Sequence, residues 1–151
     1  MGQFYSGTYY LRADDKGRLR IPQKLRAMMN SEKLHLVYSA NGCLSILTEE
    51  EHERLMSQYD GKVTICESGD LKMSRFIAGS VADINEDNQG RFTVPAAAKK
   101  FANINKDVVF VGVITKVELW DAERYEAYCS DVDYDYMFKN RFVNSGDGAS
   151  F

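Results

Sequence analysis

One pattern occurs twice in this chain: DDKGRLRIP at 14–22 and DNQGRFTVP at 87–95. Asp14, Gly17, Arg18 and Pro22 return 73 residues later as Asp87, Gly90, Arg91 and Pro95. At the same offset, without a gap, Asn30 meets Asn103, Lys33 meets Lys106 and Glu53 meets Glu126. The apolar pattern follows: LHLVY at 34–38 lies over DVVFV at 107–111, and CLSIL at 43–47 over KVELW at 116–120. A repeat constrains the fold strongly, because each copy must form the same supersecondary unit. A unit of about 50 residues buries too little surface to be comfortable alone. The two copies are therefore expected to share strands in one core. Sheet edges left open predict self-association.

Each copy reads alike. A strand over 4–12, or 77–85, enters the polar turn DDKG or DNQG, where the glycine supplies a positive φ. RLRI or RFTV follows as a second strand with alternating polar and apolar residues. Pro22 and Pro95 end that strand and suit the start of a short helix, PQKLRAMMN or PAAAKKFAN. Two further strands come next, 34–38 with 43–47 and 107–113 with 116–120. Asn41-Gly42 is a hairpin signal in the first copy, replaced by Ile114-Thr115 in the second. A helix closes each copy: Thr48 and Glu51 make a capping box, and Asp121 is the expected N-cap of AERYEAYC. The expected division is a first unit at 4–56, a linker at 57–74, a second unit at 75–129 and a tail at 130–151.

No apolar run of about 18 residues suggests a membrane span. The opening MGQFYSGTYYLR lacks the apolar core of a secretory signal, so a cytoplasmic protein is expected. Cys43, Cys66 and Cys129 are widely spaced, and only His35 and His52 could assist them. That pattern argues against a zinc site, a disulfide framework or any cofactor, and predicts reduced thiols. Asp131, Asp133 and Asp135 resemble the start of a calcium loop. The sixth and twelfth positions hold Tyr136 and Phe142 instead of Gly and Glu, which excludes it. No catalytic motif or constellation is present, so no enzyme is expected.

The net charge of −3 excludes a generic polyanion binder. The distribution is uneven: residues 1–75 hold 11 Lys and Arg against 10 Asp and Glu, and residues 76–151 hold 8 against 12. Arg12, Lys16, Arg18, Arg20, Lys24 and Arg26 cluster within 12–26, opposed only by Asp14 and Asp15. In each repeated turn an Arg follows the glycine and an Asp stands four residues earlier. Such an Asp can brace the turn backbone and the Arg fork, aiming the guanidinium at a phosphate or a guanine edge. Lys16 and Arg20 extend the first turn's basic side. The second turn has only Arg91, Lys99 and Lys100 nearby. The alternative use of each Asp and Arg pair is as a staple of the turn.

DDKGRLRIP, RFIAGSVADINEDNQGRFTVPAAAKKF and KDVVFVGVITKVELWDAERYEAY together resemble the MraZ family over roughly residues 4–130. The resemblance implies an α+β, mostly β fold: two tandem AbrB-like (SpoVT-AbrB) swapped-hairpin units in one pseudo-symmetric, β-barrel-like core with short flanking helices. It further implies a nucleoid-associated regulator of the bacterial division and cell-wall gene cluster. That regulator binds promoter repeats in double-stranded DNA as a ring-shaped homo-oligomer. Carried onto this chain, the DNA-binding positions are Asp14, Lys16, Arg18, Asp87 and Arg91, with Arg20 beside them. Arg20 replaces a residue that is often smaller in the family, and Asn88-Gln89 leaves the second loop without a Lys. An AbrB-like antitoxin with a protein partner, or an assembly module without DNA, are the alternatives. The tail from Ser130 has no clear family counterpart and suits docking on a neighbour or disorder.

Overall fold

The computed structural model describes residues 4–61 and 68–143. Its strands are β1 (Thr8–Arg12), β2 (Leu19–Arg20), β3 (Leu34–Tyr38), β4 (Leu44–Thr48), β5 (Ala82–Ile84), β6 (Arg91–Phe92), β7 (Asp107–Gly112) and β8 (Val117–Asp121). Its helices are α1 (Gln23–Arg26), α2 (Glu49–Ser57), α3 (Gly69–Ser80), α4 (Ala96–Ala102), α5 (Ala122–Asp131) and α6 (Tyr134–Val143). Six strands form one antiparallel sheet in the order β1-β7-β8-β4-β3-β5, and β2 pairs with β6 in a separate two-stranded ribbon.

The order shows how the copies share a core. The first copy's leading strand β1 pairs with the second copy's β7, and the second copy's β5 pairs with the first copy's β3. Ser45 faces Glu118 in the sheet and Leu19 faces Phe92 in the ribbon, each pair 73 residues apart. A pseudo-twofold axis therefore passes through both layers. The ungapped alignment slips by one residue along β3 and β7 and recovers at β4 and β8. Thr48 and Asp121 are equivalent caps, and they face Leu34 and Val108, which are 74 residues apart. Ile84 and Leu11 face the same two residues. Leu34 thus corresponds to Val108 and not to Asp107. Burial explains the slip: Leu34 and Val108 both lie inside, whereas Asp107 is exposed.

Alternation along the strands makes two faces. Leu34, Leu36, Leu44, Ile46, Val108, Phe110, Val117 and Leu119 pack with Leu19, Ile21, Leu25, Phe92, Val94 and Ala98 from the ribbon and α1 and α4. Val109, Val111, Trp120 and Ala122 form a second cluster on the opposite face, joined by Tyr125 of α5. The barrel-like expectation is corrected to an open sheet covered by a ribbon. β1 and β5 end as opposite edges. At two residues each, β2 and β6 are too short to close a cylinder between them.

Local signals explain most elements. Thr48 Oγ1 accepts from Glu51 N at 3.1 Å and Glu51 Oε1 accepts from Thr48 N at 2.9 Å, a complete capping box. Asp121 caps α5 by accepting from Arg124 N. Asn41 and Gly42 turn the first hairpin with φ of 63° and 76°. Ile114 turns the second at φ 72°. The strand expected over 77–85 is shorter than that span, because 77–80 belong to α3. Ser68 caps α3 by accepting from Leu71 N, and Phe76 packs edge-on against Tyr38 and Phe101, so helical spacing prevails there. α3 also takes the last part of the expected linker. Tail residues up to Val143 extend α5 and form α6. Cys66 and residues 144–151 lie outside the described residues. Among the described residues no helix is long and apolar enough to cross a membrane.

Candidate nucleic-acid interface

Both repeated turns have one geometry. Asp14 Oδ1 accepts from Lys16 N at 3.0 Å and Arg18 N at 2.8 Å, while Oδ2 accepts from Arg18 Nε at 2.7 Å. Asp87 repeats this with Gln89 N at 2.8 Å, Arg91 N at 2.9 Å and Arg91 Nε at 2.9 Å. Gly17 and Gly90 close the turns at φ 76° and 77°, where a side chain would be strained. The bonds from the Arg18 and Arg91 backbone N–H groups hold the carboxyls of Asp14 and Asp87 below the usual carboxylate range, with the guanidinium bonds adding to the effect.

The brace leaves work for the arginines. Each spends Nε on its Asp, and among the described residues the Nη nitrogens of both have no hydrogen-bond partner. Their side chains are 28% and 31% exposed, so each is held by its Asp and still reaches solvent. The staple reading and the aimed-donor reading are thus compatible.

The other basic residues divide by what they touch. Arg26 is a structural residue: its Nη2 lies 2.9 Å from Glu86 Oε1, and its Nη groups donate to the carbonyls of Met29 and Ser31. Arg12 stands 3.9 Å from Asp107 on the surface. Arg20 lies directly across the ribbon from Arg91, and its side chain runs beside Gly90. It therefore adds charge at the second loop, the one that lacks a Lys of its own. Lys99 and Lys106 of the second copy line a groove beside the first loop with Lys16 and Asp15. Sequence proximity had put Lys99 with the second turn, and Lys106 had only its place in the repeat to mark it. Strand exchange between the copies brings both to the first.

This arrangement sits on a chain whose repeats match a known family. The family model described as "MraZ protein, putative antitoxin-like" matches residues 4–63 and 77–140. The chain belongs to the MraZ family. The transcriptional regulator MraZ of Clostridium tetani is 34% identical over 132 residues, covering 87% of this chain and 91% of that protein. The transcriptional regulator MraZ of Lachnoclostridium phytofermentans is 32% identical over 127 residues, covering 84% and 88%. The Bifidobacterium longum MraZ regulator is 31% identical over 130 residues, covering 86% and 85%. Both braced loops fall inside the matched MraZ repeats.

Proposed function

We propose that the chain is a DNA-binding transcriptional regulator that reads promoter repeats with its two Asp-braced arginine loops. Its proposed target is the division and cell-wall gene cluster, bound by a ring-shaped homo-oligomer. The names of its MraZ relatives support the regulator, and the duplicated loop geometry carries the DNA contact. Asp14 and Asp87 fix the turns, Arg18 and Arg91 present the guanidinium forks, and Lys16 and Arg20 add phosphate contacts. Arg20 and Arg91 oppose each other across the ribbon, and Asp87 neutralises only Arg91, so the pair keeps a net positive charge. A phosphate backbone is an anion that such a pair attracts.

A few contacts per loop bind weakly, and the acidic balance of the whole chain gives no general attraction. Several loops on one oligomer can engage successive DNA repeats, and effective concentration then raises binding by roughly 10² to 10⁴. The test is fluorescence anisotropy with tandem repeats from the promoter upstream of the protein's own gene, against single-repeat and scrambled DNA, at two salt concentrations. Binding that needs repeats, weakens with salt and fails in Arg18→Ala supports this reading. Equal binding to all three DNAs, or wild-type binding by a folded Arg18→Ala, overturns it and leaves an assembly module.

A further inference from the structure

We propose that His35, Glu49 and His52 form a binding site for a divalent transition-metal cation of the zinc class, made of residues other than those of the arginine loops. His35 lies on β3, and Glu49 and His52 stand three residues apart on one face of α2. The potential ligand atoms of all three lie within 4.8 Å of one another. His35 Nε2 is 3.0 Å from Glu49 Oε1. Two ligands on a tetrahedral zinc with bonds of ~2.0 Å stand ~3.3 Å apart, a spacing close to that of His35 Nε2 and Glu49 Oε1. The His35 and His52 rings stack at 4.2 Å between centroids, which holds their in-plane lone pairs nearly parallel, so His52 must swing out of the stack to share an ion with His35. Three protein ligands leave a fourth position for water.

The other His35 nitrogen points the same way. Nδ1 is buried without a hydrogen-bond partner among the described residues, although Asp83 Oδ1 is 3.3 Å away. His35 and Asp83 are direct partners across β3 and β5. Asp83 is 76% exposed at its side chain and free to rotate into line. A carboxylate behind a ligating imidazole fixes the tautomer and orients the ring toward metal. Asp83 is therefore a positioning residue, and Nε2 is the ligating nitrogen.

The repeat supplies an internal control. By the pairing registers, His35 corresponds to Val109, Asp83 to Tyr10, Glu49 to Ala122 and His52 to Tyr125. At that end Val109 and Ala122 pack with Tyr125 around Trp120. The fold thus fills this place with apolar side chains when nothing else is asked of it. The imidazoles and carboxylates of the first copy are a departure from what packing requires. Imidazole and carboxylate together suit zinc and its neighbours among divalent ions. A bound ion would tie α2 and β3 together and, through Asp83, hold the strand that runs into the second arginine loop.

The experiment is a titration of metal-free full-length protein with Co²⁺, read by visible d–d absorption, followed by displacement with Zn²⁺. The expected result is one Co²⁺ per chain without a thiolate charge-transfer band, and a melting temperature that rises with Zn²⁺. His52→Ala and Glu49→Gln, with circular dichroism unchanged, should each weaken Co²⁺ binding by at least about tenfold. If His52→Ala fails to fold, Glu49→Gln decides the matter. Absence of stoichiometric binding, a thiolate band that puts the ion on a cysteine, or wild-type affinity in a folded variant overturns the site.

Discussion

At the scale of single residues, the Asp in each loop does more than balance charge. Asp14→Asn keeps one oxygen for the two backbone donors but replaces the acceptor of Arg18 Nε. The fork is then no longer aimed, and binding to repeat DNA should fall about tenfold or more with melting little changed, measured by anisotropy beside calorimetry. The lowered carboxyl of Asp14 gives this a pH signature. Its contribution to loop order is full above the ordinary carboxylate range and is lost as pH falls below that range. Loop amide shifts of Lys16 and Arg18, followed by NMR, should therefore titrate at lower pH than those beside ordinary exposed carboxylates. Burial pushes the Cys43 thiol up to about 12. Native protein should leave Cys43 unalkylated at pH 8, and rapid labelling there would contradict its burial.

At the scale of elements, the hairpins of the two copies differ in strain. Asn41 and Ile114 are both left-handed, in hairpin loops that differ in length by one residue, and a β-branched residue is costly in that conformation. Ile114 is 62% exposed, so replacing it loses little packing. Ile114→Asn should stabilise the protein by about 1 kcal/mol in denaturant melts, and a destabilised variant would show that the turn relaxes another way. The N-terminal segment sets a tighter limit. A Cβ on Gly112 would stand 2.6 Å from the carbonyl carbon of Tyr5, and Tyr5 and Ile114 exchange backbone hydrogen bonds of 2.9 Å. Gly112→Ala should cost about 1–3 kcal/mol by forcing that segment off the sheet, visible as exchange of the Tyr5 amide.

For the whole molecule, strand exchange makes the copies interdependent. β1 has its partner only in the second copy and β5 only in the first. Leu19 and Phe92 meet on the axis and both are almost fully buried. Residues 1–66 and 67–151 made separately should each lack a cooperative melt, whereas a mixture of the two should regain one by calorimetry. Independent folding of either piece would disprove the shared core. Phe92→Ala, at the centre of that core, should cost about 3–5 kcal/mol.

The elements of the fold were largely legible in the chain. The repeat, Gly17 and Gly90, Pro22 and Pro95, the Thr48–Glu51 box and the Asp121 cap each act within a few residues, and local chemistry settles them. The Asp-braced arginines belong to the same class, because four residues span the whole brace. What lay beyond the sequence depends on contacts between distant segments. Helical spacing around Phe76 won over the repeat because Tyr38 and Phe101 wait across the fold. The one-residue slip of Leu34 onto Val108 came from burial, to which an ungapped alignment is blind. Lys99 beside the first loop, Arg20 beside the second, and the meeting of His35 with His52 follow from which strand lies against which. Local patterns determined the turns and caps; the long-range pairing of β1 with β7 and β5 with β3 decided which side chains share a surface.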